Sequence, residues 1–267
     1  MEPFAQVMIG KENWTATLTG SSHVWRFMSI FDSSLVLPAD YPRIKVVGSF
    51  EELANTPMAD GVNALCWKRS LEGDFQEIVR ELGPGVGIES IEDERFLGLS
   101  LSDAGKVARE ILLKDLRRLR ELDLLPSLDC IHKSPRDESD GPVHTDVFSW
   151  HADSATVQAD TWLCSYTEAA SEGIRNDEVR RHVDVPETRA KLLELFGGAE
   201  GEEFEEFLTE NFYDLHYAPL PGARPFSFGF GNLWRVATDY PGSPVPPCVH
   251  RAPMTAEGTA PRLLLIS

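Results

Sequence analysis

An α+β fold, a β-barrel covered by helices, is the class the 267-residue chain predicts, and three observations predict it. The texture of the sequence changes near residue 130. Before that point helical and strand-like segments alternate, and after it short apolar runs are separated by Pro, Gly, Ser and Asp, the pattern of an antiparallel sandwich or barrel. One long segment, residues 100–126, carries an apolar stripe at helical spacing that needs a partner surface. Composition is ordinary for a globular protein, 42% hydrophobic and 25% charged. Because the stripe needs the sheet to cover it, residues 1–267 are read as a single domain. About 1–130 would give helical and strand support, and about 131–267 the barrel core.

Taken in order, "RIKVVGSF" (43–50) predicts a strand entering a turn, "FEELANTP" (50–57) a helix and "GVNALCWKRS" (61–70) a second strand. "DFQEIVRELGPG" (74–85) predicts a helix stopped at Gly83-Pro84. In the long helix, Ser102 or Asp103 serves as N-cap, and Val107, Ile111, Leu112, Leu116, Leu119 and Leu122 form the stripe. Arg117, Arg118 and Arg120 alternate with acids and read as a solvated face. Strands follow at 141–153, 161–168, 226–237, 248–253 and 261–267. A helical insertion interrupts them, with Pro186 early and Gly197-Gly198 closing its first helix, and an acidic helix at 202–212.

The net charge of −18 argues against nucleic-acid or anionic-membrane partners, which demand basic surfaces. Cys66, Cys130, Cys164 and Cys248 form no C-x-x-C pair. "MEPFAQVMIGKENW" lacks the basic and apolar regions of a signal peptide, and no run reaches the roughly 18 apolar residues of a membrane span. A cytoplasmic location is expected. No G-x-S-x-G elbow is present, which disfavours a serine hydrolase.

The chemistry concentrates in "VHTDVFSWHAD" (143–153), which holds His-x-Asp twice: His144/Asp146 and His151/Asp153. A histidine and a carboxylate two positions apart on a strand share a face and can offer two ligands to one metal. The pairs are offset by seven, an odd number, so an unbroken strand would point them to opposite faces. His151/Asp153 is preferred. "VFSW" leads into it as a strand, and a short loop then enters the hydrophobic run "TWLCSYTE", whereas the first pair follows the charged loop "RDESDGP". A bulge in "VFSW" would defeat the parity and leave His144/Asp146 in play. Downstream, "CVHRAPMTAEGTAPRLLLIS" supplies His250 and then Arg262 at the start of an apolar strand. Arg251, adjacent to His250, would point to the other face. His23, His132, His182 and His216 sit in no ligand pattern and are read as structural. Trp150, Trp162, Tyr166, Trp234 and Arg235 are candidates to shape a pocket, though aromatics in a barrel are more often packing.

The ordered set His-x-Asp, His and Arg over residues 141–267 resembles the Fe(II)/2-oxoglutarate-dependent oxygenases of the double-stranded β-helix (jelly-roll, cupin-like) fold. The resemblance implies that His151, Asp153 and His250 bind Fe(II), that 2-oxoglutarate and O2 take the open positions, and that Arg262 grips the far carboxylate of 2-oxoglutarate. It implies oxidation of an aliphatic C–H of a small molecule, by hydroxylation, desaturation or cyclisation. An amino acid or a biosynthetic intermediate would be the substrate. An intact Asp153 argues against halogenation. Leu264 stands where many members place a hydroxyl, two positions after the arginine, which leaves room for a clamp using Tyr166 or Thr161. Two other readings stay open: a cupin-like metal-binding accessory or sensor protein, and a non-haem iron enzyme that does not use 2-oxoglutarate.

Overall fold

The computed structural model describes residues 35–255 and 258–267; the candidate His23 lies outside the described residues. In chain order the strands and helices begin with β1 (Ile44–Val47), α1 (Phe50–Asn55), β2 (Ala64–Trp67), α2 (Phe75–Leu82), β3 (Ile88–Ser90), α3 (Asp93–Leu97), α4 (Asp103–Arg120) and β4 (Ser127–Ile131). They continue with β5 (Trp150–His151), β6 (Asp160–Ser165), β7 (Glu172–Gly173), β8 (Val179–Arg181), α5 (Pro186–Phe196), α6 (Glu202–Glu210), β9 (His216–Pro219), β10 (Phe226–Ser227), β11 (Leu233–Ala237), β12 (His250–Arg251) and β13 (Arg262–Ile266). The fold is mixed α+β with two sheets, of which one curls into a half-barrel. The larger runs β1-β2-β11-β6-β13-β4-β3 and the smaller β10-β7-β12-β5-β9-β8. Every pair is antiparallel except β1 with β2, which α1 joins as a crossover.

Alternation along the strands of the large sheet decides what each face does. Leu65, Trp162, Cys164, Leu263 and Leu265 face outward, into a core shared with Leu53, Phe75, Ile78, Leu112, Leu116 and Leu119 of the covering helices. Ala64, Cys66, Leu163, Trp234 and Leu264, one residue out of phase, pack against Phe226 of β10 and against Phe228 and Cys248 beside the small sheet. Arg262 has the parity of Leu264, so β13 turns it inward, between the sheets. A third cluster, with Leu192 and Phe204 at its centre, belongs to α5 and α6.

The helices start and stop for local reasons. Ser49, Asp74 and Ser102 accept the backbone N–H of Glu52, Glu77 and Gly105 as N-caps. α5 begins at Pro186 and ends where Gly197 adopts a left-handed φ of 72°. The buried stripe of α4 is Ala108, Leu112, Asp115, Leu116 and Leu119. Val107 and Leu122, expected within it, are exposed. α4 is turned so that its small residues meet the chain at Gly73, where a side chain would stand 2.6 Å from the Ala108 nitrogen.

The expected strand at 141–153 exists only as Trp150–His151. Its first half is a loop closed by Asp146, which accepts the N–H groups of Asp137, Phe148 and Ser149. No helix among the described residues is long and apolar enough to cross a membrane.

Candidate metal centre

Three histidines stand in one row across the small sheet. His250 of β12 is the direct antiparallel partner of His151 of β5, and His151 is the partner of His216 of β9. Directly opposed residues project from the same face. The His151 and His250 rings lie 4.7 Å apart between centroids, and those of His151 and His216 5.8 Å apart. Asp153 follows His151 by two residues. Its backbone is fixed by Asp239, whose N–H donates to the Asp153 carbonyl at 2.7 Å. The Asp153 carboxylate then meets His151 Nε2 at 3.9 Å and His250 Nε2 at 3.5 Å. One ligand atom from each of His151, Asp153 and His250 fits within 4.8 Å of the other two.

The donor chemistry suits a divalent cation. Each imidazole hydrogen-bonds the carbonyl two residues before it, His151 Nδ1 to Ser149 at 2.8 Å and His250 Nδ1 to Cys248 at 3.2 Å. That contact makes Nδ1 the donor, fixes the ring and turns Nε2 toward Asp153. Burial, followed by the neighbouring His250, pushes the His151 imidazole well below its ordinary value, so it is neutral at pH 7. Burial alone would raise the Asp153 carboxyl. His250, the Thr161 hydroxyl and His151 together outweigh it and leave the group below the usual carboxylate range. A neutral His151 imidazole and an ionised Asp153 carboxylate are protonation states that a metal needs.

Thr161 donates its hydroxyl to Asp153 Oδ2 at 2.6 Å and orients the carboxylate. It was a candidate clamp for a cosubstrate; its hydroxyl is engaged with Asp153. Tyr166 faces the helices, where its hydroxyl donates to Asp115 at 2.7 Å. Arg235 also lies on the helix side. It donates to the carbonyls of Leu53, Ala54 and Thr56 at the end of α1 and pairs with Asp160. Trp162 packs beneath it, and Trp234 stacks on Phe228 between the sheets. Only Trp150, in a small cluster with Ile174 and Val249, sits on a strand of the histidine row.

His144 stands apart. Its side chain is half exposed and faces Asp137 at 3.8 Å, and Asp146 is occupied by the loop's own N–H groups. The parity that separated the two pairs has no strand to act on. A turn separates them instead.

Arg251 pairs with Glu172 at 2.7 Å and covers the Trp150 ring. Arg262 is different. It is 7% exposed and donates to the Ala169 carbonyl at 2.8 Å and the Ser171 hydroxyl at 3.3 Å, both neutral. No carboxylate pairs with it among the described residues, and burial alone lowers its pKa to about 10. His151 and Asp153, though not His250, line a cavity of about 280 Å³ together with Asp146, Phe212, Leu215 and His216. Arg262 opens on one of about 490 Å³, and no described residue lines both. His216, read from sequence as structural, donates from Nδ1 to the Phe212 carbonyl at 2.7 Å and lines the triad's cavity. Neither its place nor that of Thr161 had a signal in sequence spacing: strand register set His216 opposite His151, and the turn from Asp153 into β6 brought Thr161 back onto the Asp153 carboxylate. Comparison with family models, with curated proteins and with solved structures finds no match to this chain.

Proposed function

We propose that the chain is a non-haem iron oxygenase of the double-stranded β-helix type. It would use Fe(II), 2-oxoglutarate and O2 to oxidise an aliphatic C–H bond of a small molecule, and act as a cytoplasmic enzyme without a nucleic-acid or membrane partner. The observation that carries the reading is the convergence of His151 Nε2, His250 Nε2 and the Asp153 carboxylate with both Nδ1 atoms already anchored. Two imidazoles and one carboxylate on one face form the donor set of mononuclear oxygenase iron. Iron held there would supply the activation of O2.

The chain's own residues then have separate tasks. His151 and His250 would bind through Nε2, and Thr161 keeps Asp153 turned toward them. Arg262 is the charge offered to the far carboxylate of 2-oxoglutarate, because a buried guanidinium with only neutral acceptors gains most from an anion. Phe212, Leu215 and Val147 give the triad's cavity apolar walls for a hydrocarbon portion of the substrate.

The test is an anaerobic titration of metal-free protein with Fe(II) and then 2-oxoglutarate, followed by visible absorption. A charge-transfer band that needs both additions, survives His144→Ala and is lost in His151→Ala and Arg262→Ala is the expected result. Iron binding without a band would remove 2-oxoglutarate. That outcome belongs to a second reading, a metal centre that does not use 2-oxoglutarate, whether enzyme, accessory or sensor. One observation favours it: no described residue joins the triad's cavity to that of Arg262.

A further inference from the structure

The described lining of the cavity at Arg262 runs opposite in charge to the chain as a whole. The chain carries −18, yet each charged residue described as lining this cavity is a cation: Lys133 and Arg136 at the mouth, Arg262 at the buried end. None of the three has an ion-pair partner among the described residues. Arg136 instead lies over the Phe148 ring, 3.5 Å from its centroid, with its guanidinium nitrogens 3.8 and 3.9 Å from the Met254 sulfur. The segment that carries them is anchored, since the His132 and Lys133 N–H groups both donate to the Gly87 carbonyl. Ser134, Thr255 and Thr259 add hydroxyls to the wall. Like charges gathered in a cleft repel unless something neutralises them, and a cleft focuses their field on a counter-ion. At about 490 Å³ the cavity is also far larger than a single carboxylate needs.

We propose that this cavity is a binding site for a small molecule with two or more anionic groups, carboxylate or phosphate, one held by Arg262 at the buried end and another by Lys133 and Arg136 at the mouth. The site fills without the metal. It touches the oxygenase reading only in that 2-oxoglutarate is one such anion, and it stands if the metal centre binds none.

Calorimetric titrations of the full-length, metal-free chain with pyrophosphate, citrate and 2-oxoglutarate test this in wild type, in the double variant Lys133→Glu/Arg136→Glu and in His151→Ala. At least one probe should bind wild type, weaken at least tenfold in the double variant, weaken further as salt rises, and bind His151→Ala unchanged. Binding of 2-oxoglutarate alone would make the cosubstrate the occupant. Binding of pyrophosphate or citrate, with 2-oxoglutarate silent, would make it another acid. Failure of all three, binding that charge reversal leaves intact, or binding that His151→Ala abolishes would overturn the site. Loss of the iron–oxoglutarate band with polyanion binding preserved would sink the oxygenase reading and leave this one standing.

Discussion

Arg69 and Arg262 are both buried arginines, on opposite sides of the same sheet, and their surroundings differ in one respect. Arg69 has its charge matched. Asp115, itself 1% exposed, receives Arg69 at 2.7 and 2.9 Å, Arg118 at 3.3 Å and the Tyr166 hydroxyl at 2.7 Å, while Arg69 Nε donates to the Gly231 carbonyl. Arg262 finds a carbonyl and a hydroxyl and no charge. The same contrast separates the Asp115 cluster from the triad. In the first every strong donor and acceptor is spent inside the protein, and in the second both imidazole Nε2 atoms face a carboxylate with room for a cation between them. A satisfied buried network holds a fold together, and an unsatisfied one is where a ligand gains most.

Removing Asp115 should give the largest effect. Asp115→Ala leaves Arg69 buried without a counter-ion, and the expected loss is about 3–5 kcal/mol in chemical denaturation. A loss below about 1 kcal/mol would break the comparison, because the network would then not be structural. The metal side responds through affinity. Divalent metal should raise the melting temperature of wild type and leave that of His151→Ala unchanged. Thr161→Val, which frees the Asp153 carboxylate to turn, should weaken metal binding about 10- to 100-fold with little change in the metal-free fold.

Arg262→Met has the opposite sign to Asp115→Ala. With no ligand present it removes an unpaired buried charge, so stability should hold or rise by about 1 kcal/mol. If it falls by several, Arg262 belongs with Arg69 as a structural group. The smallest effect is with pH. His151 is buried and neutral with its pKa lowered, so the unfolded chain takes up a proton first as acid is added. Stability of the metal-free protein should therefore fall as pH drops below about 6.5, the ordinary imidazole value, and the slope should flatten in His151→Gln. A melting temperature unchanged between pH 7 and pH 5.5 would mean that His151 is as easily protonated in the fold as outside it.

Five helices were legible because their signals are local, and α3, which has no side-chain cap, was not expected. Ser102 with its stripe, Asp74 with Gly83, and Pro186 with Gly197 each set an end within a few residues of sequence. The continuous apolar runs in "ALCW" and "RLLLI" likewise announced buried strands. The sequence by itself also determined which residues could be ligands: His151, Asp153, His250 and Arg262 come from spacing and residue type alone. Tertiary structure decided which of them meet. Pairing of β5 with β12 and β9 put His250 and His216 beside His151, and pairing of β13 with β4 turned Arg262 inward to a cationic cavity. It also dismissed His144, through an Asp146 turn that no count of residues could show. The physical reason is common to all of these. A cap or a stripe is fixed by contacts a few residues apart, whereas a site is fixed by register between strands about a hundred residues apart, and that register follows from how the whole core packs.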